Sequence, residues 1–267
     1  MSELTTAIKF AAQLYRQRAQ TKYHGYVRRD QVALLSLRPG RANPYAIYES
    51  LRAQGTLVPA PQQSWATTSY QVCHDVLRDR RFGAGGPDGD TTLPRPDDMP
   101  PSFLELNPPD HTRLRRLATP AFSPRAVAGY APRVEKTVTE LLDRAQASGG
   151  PVDFVSQFAA PLPIAVITDL LGIPDSDTET FTRIGMVIGS ALDGIQGMRH
   201  AAALNAANQQ LMTLFENLFE LRRREPRDDV VSHLVAAEGD KIQPNEMLPT
   251  CVLLLVAGFE TTVNLIG

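Results

Sequence analysis

Apolar side chains recur at helical spacing along most of the chain, which predicts a mainly α protein with a small β component. A recurrence of three or four residues places such side chains on one face of a helix, where they form a core contact. The two clearest stripes are Val134, Val138, Leu141, Leu142 and Ala145, and Leu204, Leu211, Leu214, Phe215, Leu218 and Leu221, the second of which ends before Pro226. Strands are predicted only at residues 56–58 and 65–67, which can pair as a small hairpin.

The segment Cys251–Ile266 is apolar on every face up to Ala257 and then carries polar residues. A helix that is apolar all round is buried on all sides, and the run is too short for a bilayer, which needs ~20 apolar residues. An ionised Glu260 is costly there unless it is paired. Gly258 allows another group to approach the backbone closely, and the Thr261 hydroxyl can bond back to the Ala257 carbonyl. Such conflicts within a strong helix are expected at functional sites. The alternative is a buried helix whose glutamate pairs with an arginine.

A basic helix is predicted to begin after Asn107, where two prolines and an aspartate suit a helix start. His111 and Arg115 are four residues apart and share one face. A basic face of this kind can hold carboxylates through charge-assisted hydrogen bonds. Arg113 and Arg116 fall on other faces, where we expect solvent or acidic partners. Taken alone, such a helix is more typical of a solvated surface.

The two segments together resemble the bacterial-type cytochrome P-450 haem-thiolate monooxygenases. The sequence Ala257–Thr262 is similar to the motif of the family's long distal helix. The sequence Asn107–His111, with Arg115 and then Phe122-Ser123-Pro124, is similar to the motif that holds the haem propionates. Asn107 stands where the family usually has Asp, but it precedes the helix and is not itself a propionate contact. The similarity runs in one order over roughly residues 40–267.

The resemblance implies a role for each matching residue. Glu260 would be the acid and Thr261 the proton-relay hydroxyl that serve dioxygen activation, so these two are the predicted catalytic residues. The predicted cofactor-binding residues are His111, Arg115, Ala257 and Gly258. The first two would bind the haem propionates, and the last two would leave room for dioxygen and substrate.

The resemblance also implies a cytochrome P-450 fold that is C-terminally truncated. In the family, the iron ligand is a Cys after a Phe-x-x-Gly-x-x-x-Cys loop, preceded by a Glu-x-x-Arg helix, and neither occurs here as a family element. Cys251 lies nine residues before Glu260, which is about 13 Å along a helix. Cys73 belongs to an early helix. Neither is a credible axial ligand, so no metal-binding residue is predicted.

We expect residues 1–267 to form a single incomplete cytochrome P-450 domain. Within it, residues 1–40 would be an N-terminal extension. Residues 83–101, rich in Gly, Pro and Asp, would be the substrate-covering loop, and residues 181–198 would be a lid region. Without the resemblance, both of these segments are typical of a flexible surface.

Composition narrows the class of protein further. The 27 basic and 29 acidic residues nearly balance, which disfavours a nucleic-acid-binding domain. Two cysteines cannot build a disulfide framework or a zinc site. The N-terminus lacks the apolar core of a signal peptide, and no membrane span is evident, so a cytoplasmic location is predicted.

The favoured interpretation is a haem-dependent monooxygenase that inserts one oxygen atom of O2 into a small hydrophobic organic substrate. The resemblance implies haem b as its cofactor, with electrons that come from NAD(P)H through a ferredoxin and a ferredoxin reductase. Because the iron-ligating Cys is missing, the alternative is a catalytically inactive remnant or a helical module that binds a hydrophobic ligand.

Overall fold

Helices make up most of the structure, which confirms the predicted fold class. The computed structural model describes residues 3–61, 64–84, 100–190 and 194–267. In chain order the α-helices are α1 (Glu3–Lys22), α2 (Gln31–Leu35), α3 (Arg38–Ala42), α4 (Pro44–Gln54), α5 (Tyr70–Arg78), α6 (Asp110–Ala118), α7 (Pro124–Ala147), α8 (Pro161–Leu171), α9 (Asp175–Gly189), α10 (Met198–Arg224), α11 (Val230–Ala236) and α12 (Pro244–Ile266). Short 3-10 turns lie at Phe103–Glu105 and Thr119–Phe122, and π turns at Tyr23–Val27 and Val155–Ala159. The chain divides into two compact units, Met1–Phe82 and Gly83–Gly267.

The first unit contains the predicted hairpin. Strands β1 (Val58–Ala60) and β2 (Ser64–Ala66) pair antiparallel, with Val58 opposite Ala66. The hairpin is therefore confirmed, although its first strand begins two residues later than the predicted residue 56. The buried side chains of this unit's core cluster are Ile47, Leu51 and Val58, with Val32, Leu34 and Leu35 packed against them. Helices α2 and α4 supply most of this cluster, so the hairpin is an addition to a helical unit.

The core of the second unit surrounds α12. This helix packs chiefly against α8 and also contacts α9, α10 and α11. The most deeply buried side chains of the cluster include Leu171, Phe215, Val231, Leu234, Met247 and Cys251. Phe181 on α9 meets Phe215 on α10 edge to face, with ring centroids 5.3 Å apart. Aromatic pairs of this geometry add to the free energy gained from area burial alone.

The two predicted apolar stripes differ in how well they are buried. On α10, Leu204, Leu211, Phe215 and Leu218 are all buried, and the helix ends at Arg224, just before Pro226. On α7, only Leu141 is buried, while Leu142 is 50% exposed. The prediction that Leu142 belongs to the core is therefore wrong. The two leucines are consecutive and lie about 100° apart around the helix, and the buried face of α7 is narrow enough to include only Leu141.

A buried ion pair joins α8, α10 and α11. The Arg222 Nε donates to Asp229 Oδ2 at 2.6 Å, and the two side chains are 1% and 5% exposed. The guanidinium also donates to the carbonyl of Gly172, which ends α8 in a left-handed conformation with φ of 78°. Asp229 in turn caps α11 by accepting from the amide of Ser232 at 2.7 Å. One carboxylate thus fixes the start of α11 and neutralises a buried cation.

Most of the predicted substrate-covering loop, residues 85–99, lies outside the described residues. The predicted lid region spans the end of α9 and the start of α10, and residues 191–193 within it also lie outside. The roles predicted for these segments, the extension at residues 1–40 and the single-domain organisation stay predictions.

Candidate functional site

His111 lies in the first turn of α6 and is held by the segment before it. Its Nδ1 is 2.8 Å from the carbonyl oxygen of Phe103, and the two rings meet edge to face. Because a carbonyl oxygen only accepts, Nδ1 must carry a proton. The other ring nitrogen, Nε2, then remains for a further partner. A hydrogen bond from Nε2 to a carboxylate requires that both nitrogens carry protons.

Arg115 follows one helical turn after His111 and is exposed. Among the residues that the structure describes, no carboxylate lies within ion-pair distance of its guanidinium. A cation without an internal partner can hold an external anion. The predicted pairing of His111 and Arg115 on one face is compatible with this geometry, since residues at i and i+4 are neighbours on a helix.

Arg113, on a different face of α6, meets acidic partners as expected. Its Nη2 donates to Glu246 Oε1 at 2.6 Å and to Asp110 Oδ1 at 2.8 Å. Its Nη1 donates to Glu246 Oε2 and to the Lys241 carbonyl, both at 2.9 Å. These bonds raise the pKa of Arg113 and, through the guanidinium, lower the pKa of Glu246. The contact joins α6 to the first turn of α12.

The Asn107 side chain forms two hydrogen bonds with the backbone of Ala84. Its Oδ1 accepts from the Ala84 amide and its Nδ2 donates to the Ala84 carbonyl, each at 2.9 Å. An aspartate could make the first bond but, when ionised, not the second. The departure from the motif therefore has a local reason that the sequence did not reveal.

The polar residues near the end of α12 bond back to their own helix. Thr261 Oγ1 donates to the Ala257 carbonyl at 3.0 Å, as predicted. Thr262 Oγ1 donates to the Gly258 carbonyl at 3.4 Å. Ala257 and Thr261 are both exposed, so the helix is not buried on all sides as its apolar pattern predicted.

Glu260 is half-buried beside the end of α9. Its Oε1 accepts from the Asn264 amide group at 3.4 Å. A side chain added at Gly189 would place its Cβ 2.6 Å from Glu260 Oε2, so the carboxylate rests against that glycine. Within the described ranges, no arginine, lysine or histidine lies at ion-pair distance from Glu260. The alternative of a structural glutamate–arginine pair is therefore not supported.

Gly258 faces α8. A Cβ at this position would lie 2.7 Å from both Cδ1 and Cγ1 of Ile167, which is itself buried. The missing side chain thus makes room for a helix–helix contact in this structure. Of the two small residues, only Ala257 lies on an exposed face of the helix.

The contact between Arg113 and Glu246 connects α6 to the first turn of α12, whereas Glu260 and Thr261 lie near the C-terminal end of α12. Thr261 follows Glu246 by fifteen residues, about 22 Å along the helix axis.

Sequence reasoning missed Glu246, Gly189 and Asn264. Glu246 carried a signal, because a Gln and a Glu three residues apart ahead of an apolar run indicate a capping box. Gly189 carried none, since its contact joins distant parts of the chain.

Comparison with known proteins identifies the family. No family model matches the chain. The mycinamicin IV hydroxylase/epoxidase of Micromonospora griseorubida is 37% identical over 213 residues, which are 78% of this chain and 52% of that protein. The biotin biosynthesis cytochrome P450 of Bacillus subtilis is 34% identical over 234 residues, 84% of this chain and 58% of the relative. The chain belongs to the cytochrome P450 family.

The fold agrees with this membership. The crystal structure of P450BioI, solved with an acyl carrier protein ligated to hexadec-9Z-enoic acid, matches with a TM-score of 0.73 at 33% identity. The match covers 84% of this chain and 60% of that one. The chain thus spans about half to three-fifths of the length of these cytochrome P450 relatives. The names of these relatives describe a hydroxylase/epoxidase and a cytochrome P450 of biotin biosynthesis.

The residues present fit one edge of a cytochrome P450 haem. A histidine nitrogen and a guanidinium on one helix face are donors suited to two carboxylates. The iron ligand is a different matter, because Cys251 is fully buried in the core and Cys73 lies exposed in the first unit. Burial raises the pKa of the Cys251 thiol, which disfavours the thiolate. In the described ranges, no cluster of His, Cys, Asp and Glu could hold a metal ion.

Helix α12 is also the one described helix that is long and apolar enough to cross a membrane by length and composition. It has 23 residues, more than the run that the sequence suggested was too short. Core helices of soluble proteins pass the same test, and α12 packs in the core against four other helices. These properties do not show a membrane span.

Proposed function

We propose that this chain serves a haem-dependent monooxygenase that inserts one oxygen atom of O2 into a small hydrophobic organic substrate. The observation that carries the proposal is the half-buried Glu260, which has no cationic partner among the residues that the structure describes, next to the exposed Thr261 on the helix with the cytochrome P450 motif. A half-buried acid that no cation neutralises is suited to move protons. The names of the relatives, a hydroxylase/epoxidase and a biotin biosynthesis enzyme, support oxygenation of organic substrates.

His111 and Arg115 would hold the haem carboxylates. Phe103 fixes the His111 ring through Nδ1, so Nε2 is the nitrogen that donates to one carboxylate. Arg115 offers a second, exposed donor on the same face. When bound, haem b supplies the iron centre that activates dioxygen. The chain contributes binding and orientation at this edge.

Thr261 and Glu260, on α12, would move protons during dioxygen activation. The Thr261 hydroxyl donates its hydrogen to the Ala257 carbonyl, so its oxygen is free to accept a hydrogen bond. Glu260, the neighbouring residue, is the group that can release and recover a proton near this hydroxyl. Ala257, one turn earlier on the exposed face, leaves space beside Thr261.

The remaining parts of the proposal follow from the family. Electrons from NAD(P)H would arrive through a ferredoxin and a ferredoxin reductase, and the protein would work in the cytoplasm without a membrane span or nucleic acid. The nearly balanced charge, 27 basic against 29 acidic residues, supports the last point.

A second candidate is a helical module that binds haem or another hydrophobic ligand without thiolate chemistry. The buried Cys251, with its raised thiol pKa, and the exposed Cys73 favour it for the 267-residue chain. Reduction of the haem-loaded chain under carbon monoxide separates the candidates. A red-shifted band indicates a thiolate ligand and supports the oxygenase for this chain itself. Absence of that band supports the ligand-binding module for this chain.

Haem titration followed by absorbance tests the binding step. His111→Ala and Arg115→Ala should each weaken haem binding roughly tenfold, since each removes one charge-assisted hydrogen bond. Arg116→Ala is the matched control, because Arg116 is an exposed arginine on another face of α6. Equal weakening by all three substitutions would mean that the basic character of the helix, rather than this face, attracts the haem.

A further inference from the structure

His200 joins the end of α9 to the start of α10 with both of its ring nitrogens. The backbone amide of Gln196 donates to Nδ1 at 3.0 Å. On the other side, Nε2 lies 2.8 Å from the hydroxyl of Ser190, which directly follows α9. The Ser190 hydroxyl donates to the Val187 carbonyl at 2.5 Å. The ring therefore links two helices and part of their connection.

These contacts allow one protonation state only. An amide N–H always donates, so Nδ1 must present a lone pair to Gln196. The Ser190 hydroxyl uses its only hydrogen on the Val187 carbonyl, so its oxygen can only accept from Nε2. His200 is therefore neutral, with its proton on Nε2. An imidazolium would carry a second proton on Nδ1, directed at the Gln196 N–H.

The end of α9 that His200 holds is the surface against which Glu260 lies. Gly189, the residue before Ser190, is buried, and a Cβ added to it would come within 2.6 Å of Glu260 Oε2. The same Cβ would lie 3.2 Å from Cζ of Phe259. The position of this backbone thus sets where the Glu260 carboxylate can lie.

We propose that His200, in its neutral Nε2–H form, is a positioning residue for Glu260. It fixes Ser190 to the start of α10 and so keeps Gly189 against the carboxylate. The role rests on the proposed function, in which Glu260 is the proton-delivering acid. His200 touches no reacting atom and acts through the end of α9.

Protonation of His200 at Nδ1 removes the lone pair that accepts from the Gln196 amide, so the hydrogen bond between His200 and Gln196 is lost. The charged residues nearest to this link along the chain are Arg199 on α10, Arg183 on α9 and Asp193, which lies outside the described residues, while Glu260 on α12 lies against Gly189. Arg183 donates to Gln210 farther along α10. No carboxylate in the described ranges lies within ion-pair distance of His200.

Nuclear magnetic resonance of the full 267-residue chain labelled with 15N-histidine tests the tautomer directly. We expect a lone-pair nitrogen signal for Nδ1 and a protonated signal for Nε2, with His200 assigned by its loss in His200→Asn. Exchange of the Gln196 amide should speed up about tenfold as His200 protonates, the change expected from one lost hydrogen bond. The opposite tautomer, or a Gln196 amide indifferent to His200 protonation, overturns the proposal.

Two variants separate positioning from general stability. The Asn oxygen in His200→Asn occupies the place of Nδ1, so this variant should keep Gln196 protected at every pH, whereas His200→Ala should not. The 13C carboxyl signal of Glu260, assigned with Glu260→Gln, should move in His200→Ala. His233→Ala is the matched control, because His233 is exposed on α11 and should leave the Glu260 signal unchanged. If His200→Ala does not fold, Ser190→Ala removes the other half of the link and must move the same signal.

A Glu260 signal that is identical in wild type, His200→Ala and Ser190→Ala would overturn the positioning role even if the tautomer is as expected. None of these measurements needs haem or turnover. Failure of the proposed oxygenase function would appear in the haem titration instead, so the two failures can be told apart.

Discussion

Arg113 on α6 and Glu246 on α12 form a bidentate ion pair, with hydrogen bonds of 2.9 and 2.6 Å. It ties the helix with the predicted haem-carboxylate residues to the helix with the predicted proton-relay residues. The Glu246 side chain is 17% exposed and also accepts from the Gln243 amide at 2.8 Å. Its carboxylate therefore joins the two helices and caps one of them.

Glu246→Gln should lower the free energy of unfolding by about 1–2 kcal/mol, because it removes the charge from hydrogen bonds that are only partly exposed. Urea unfolding monitored by circular dichroism measures this. Glu140→Gln, which alters an exposed 3.8 Å pair with Lys136 on α7, should change stability by less than about 0.5 kcal/mol. Equal losses of unfolding free energy in the two variants would show that the contact between Arg113 and Glu246 stabilises the protein no more than an exposed surface ion pair does.

The same pair predicts how stability depends on pH. The hydrogen bond from Arg113 lowers the pKa of Glu246 below its ordinary value of 4.5. A carboxyl with a depressed folded-state pKa contributes stability that is full above the ordinary value and is lost as pH falls through the folded value. Wild type should therefore lose more stability below pH 4.5 than Glu246→Gln does. Parallel pH profiles for the two proteins would contradict this.

Asp229→Asn should lower the free energy of unfolding by about 3–5 kcal/mol, since it leaves the buried Arg222 cation without its anion. The substitution keeps an oxygen that can cap α11, so most of the loss reports the ion pair. Asp228→Asn is the control, because that side chain is 103% exposed. Thermal and urea unfolding of the three proteins would show the difference, and a small loss in Asp229→Asn would mean that water reaches Arg222.

Gly258→Ala should lower the free energy of unfolding by about 1–3 kcal/mol, because its Cβ would overlap the buried Ile167 side chain. Gly129→Ala on α7 is the matched control. A Cβ there meets nothing within 4 Å, so the substitution should stabilise by up to about 1 kcal/mol. Unfolding of both variants in urea decides the sign. If Gly258→Ala is also stabilising, α12 and α8 are not in close contact at this point.

Thr261→Ala should uncouple oxygen reduction from substrate oxidation in a form of the protein that carries an iron thiolate ligand. We expect the ratio of peroxide released to product formed to rise roughly tenfold or more, because the relay hydroxyl is lost. Thr261→Ser retains a hydroxyl and should keep most of the coupling. An unchanged ratio in Thr261→Ala would remove this residue from proton delivery.

Local pattern determined much of the fold. The apolar stripe of α10, its end before Pro226, the hairpin around Val58 and the back-bond of Thr261 depend on neighbouring residues, and the structure has all of them. The spacing of apolar residues gave a wrong prediction on α7, where Leu142 is exposed, since periodicity does not indicate how wide the buried face of a helix is.

The sequence by itself determined the helical class, the family motifs and the residues of the candidate site, because periodicity, capping and motif order are properties of short segments. Only the tertiary structure decided which partners those residues have. Arg113 and Glu246 are 133 residues apart, and Gly189 and Glu260 meet across two helices. Contacts of this kind follow from how helices pack, and packing depends on shape complementarity between surfaces that no single segment contains.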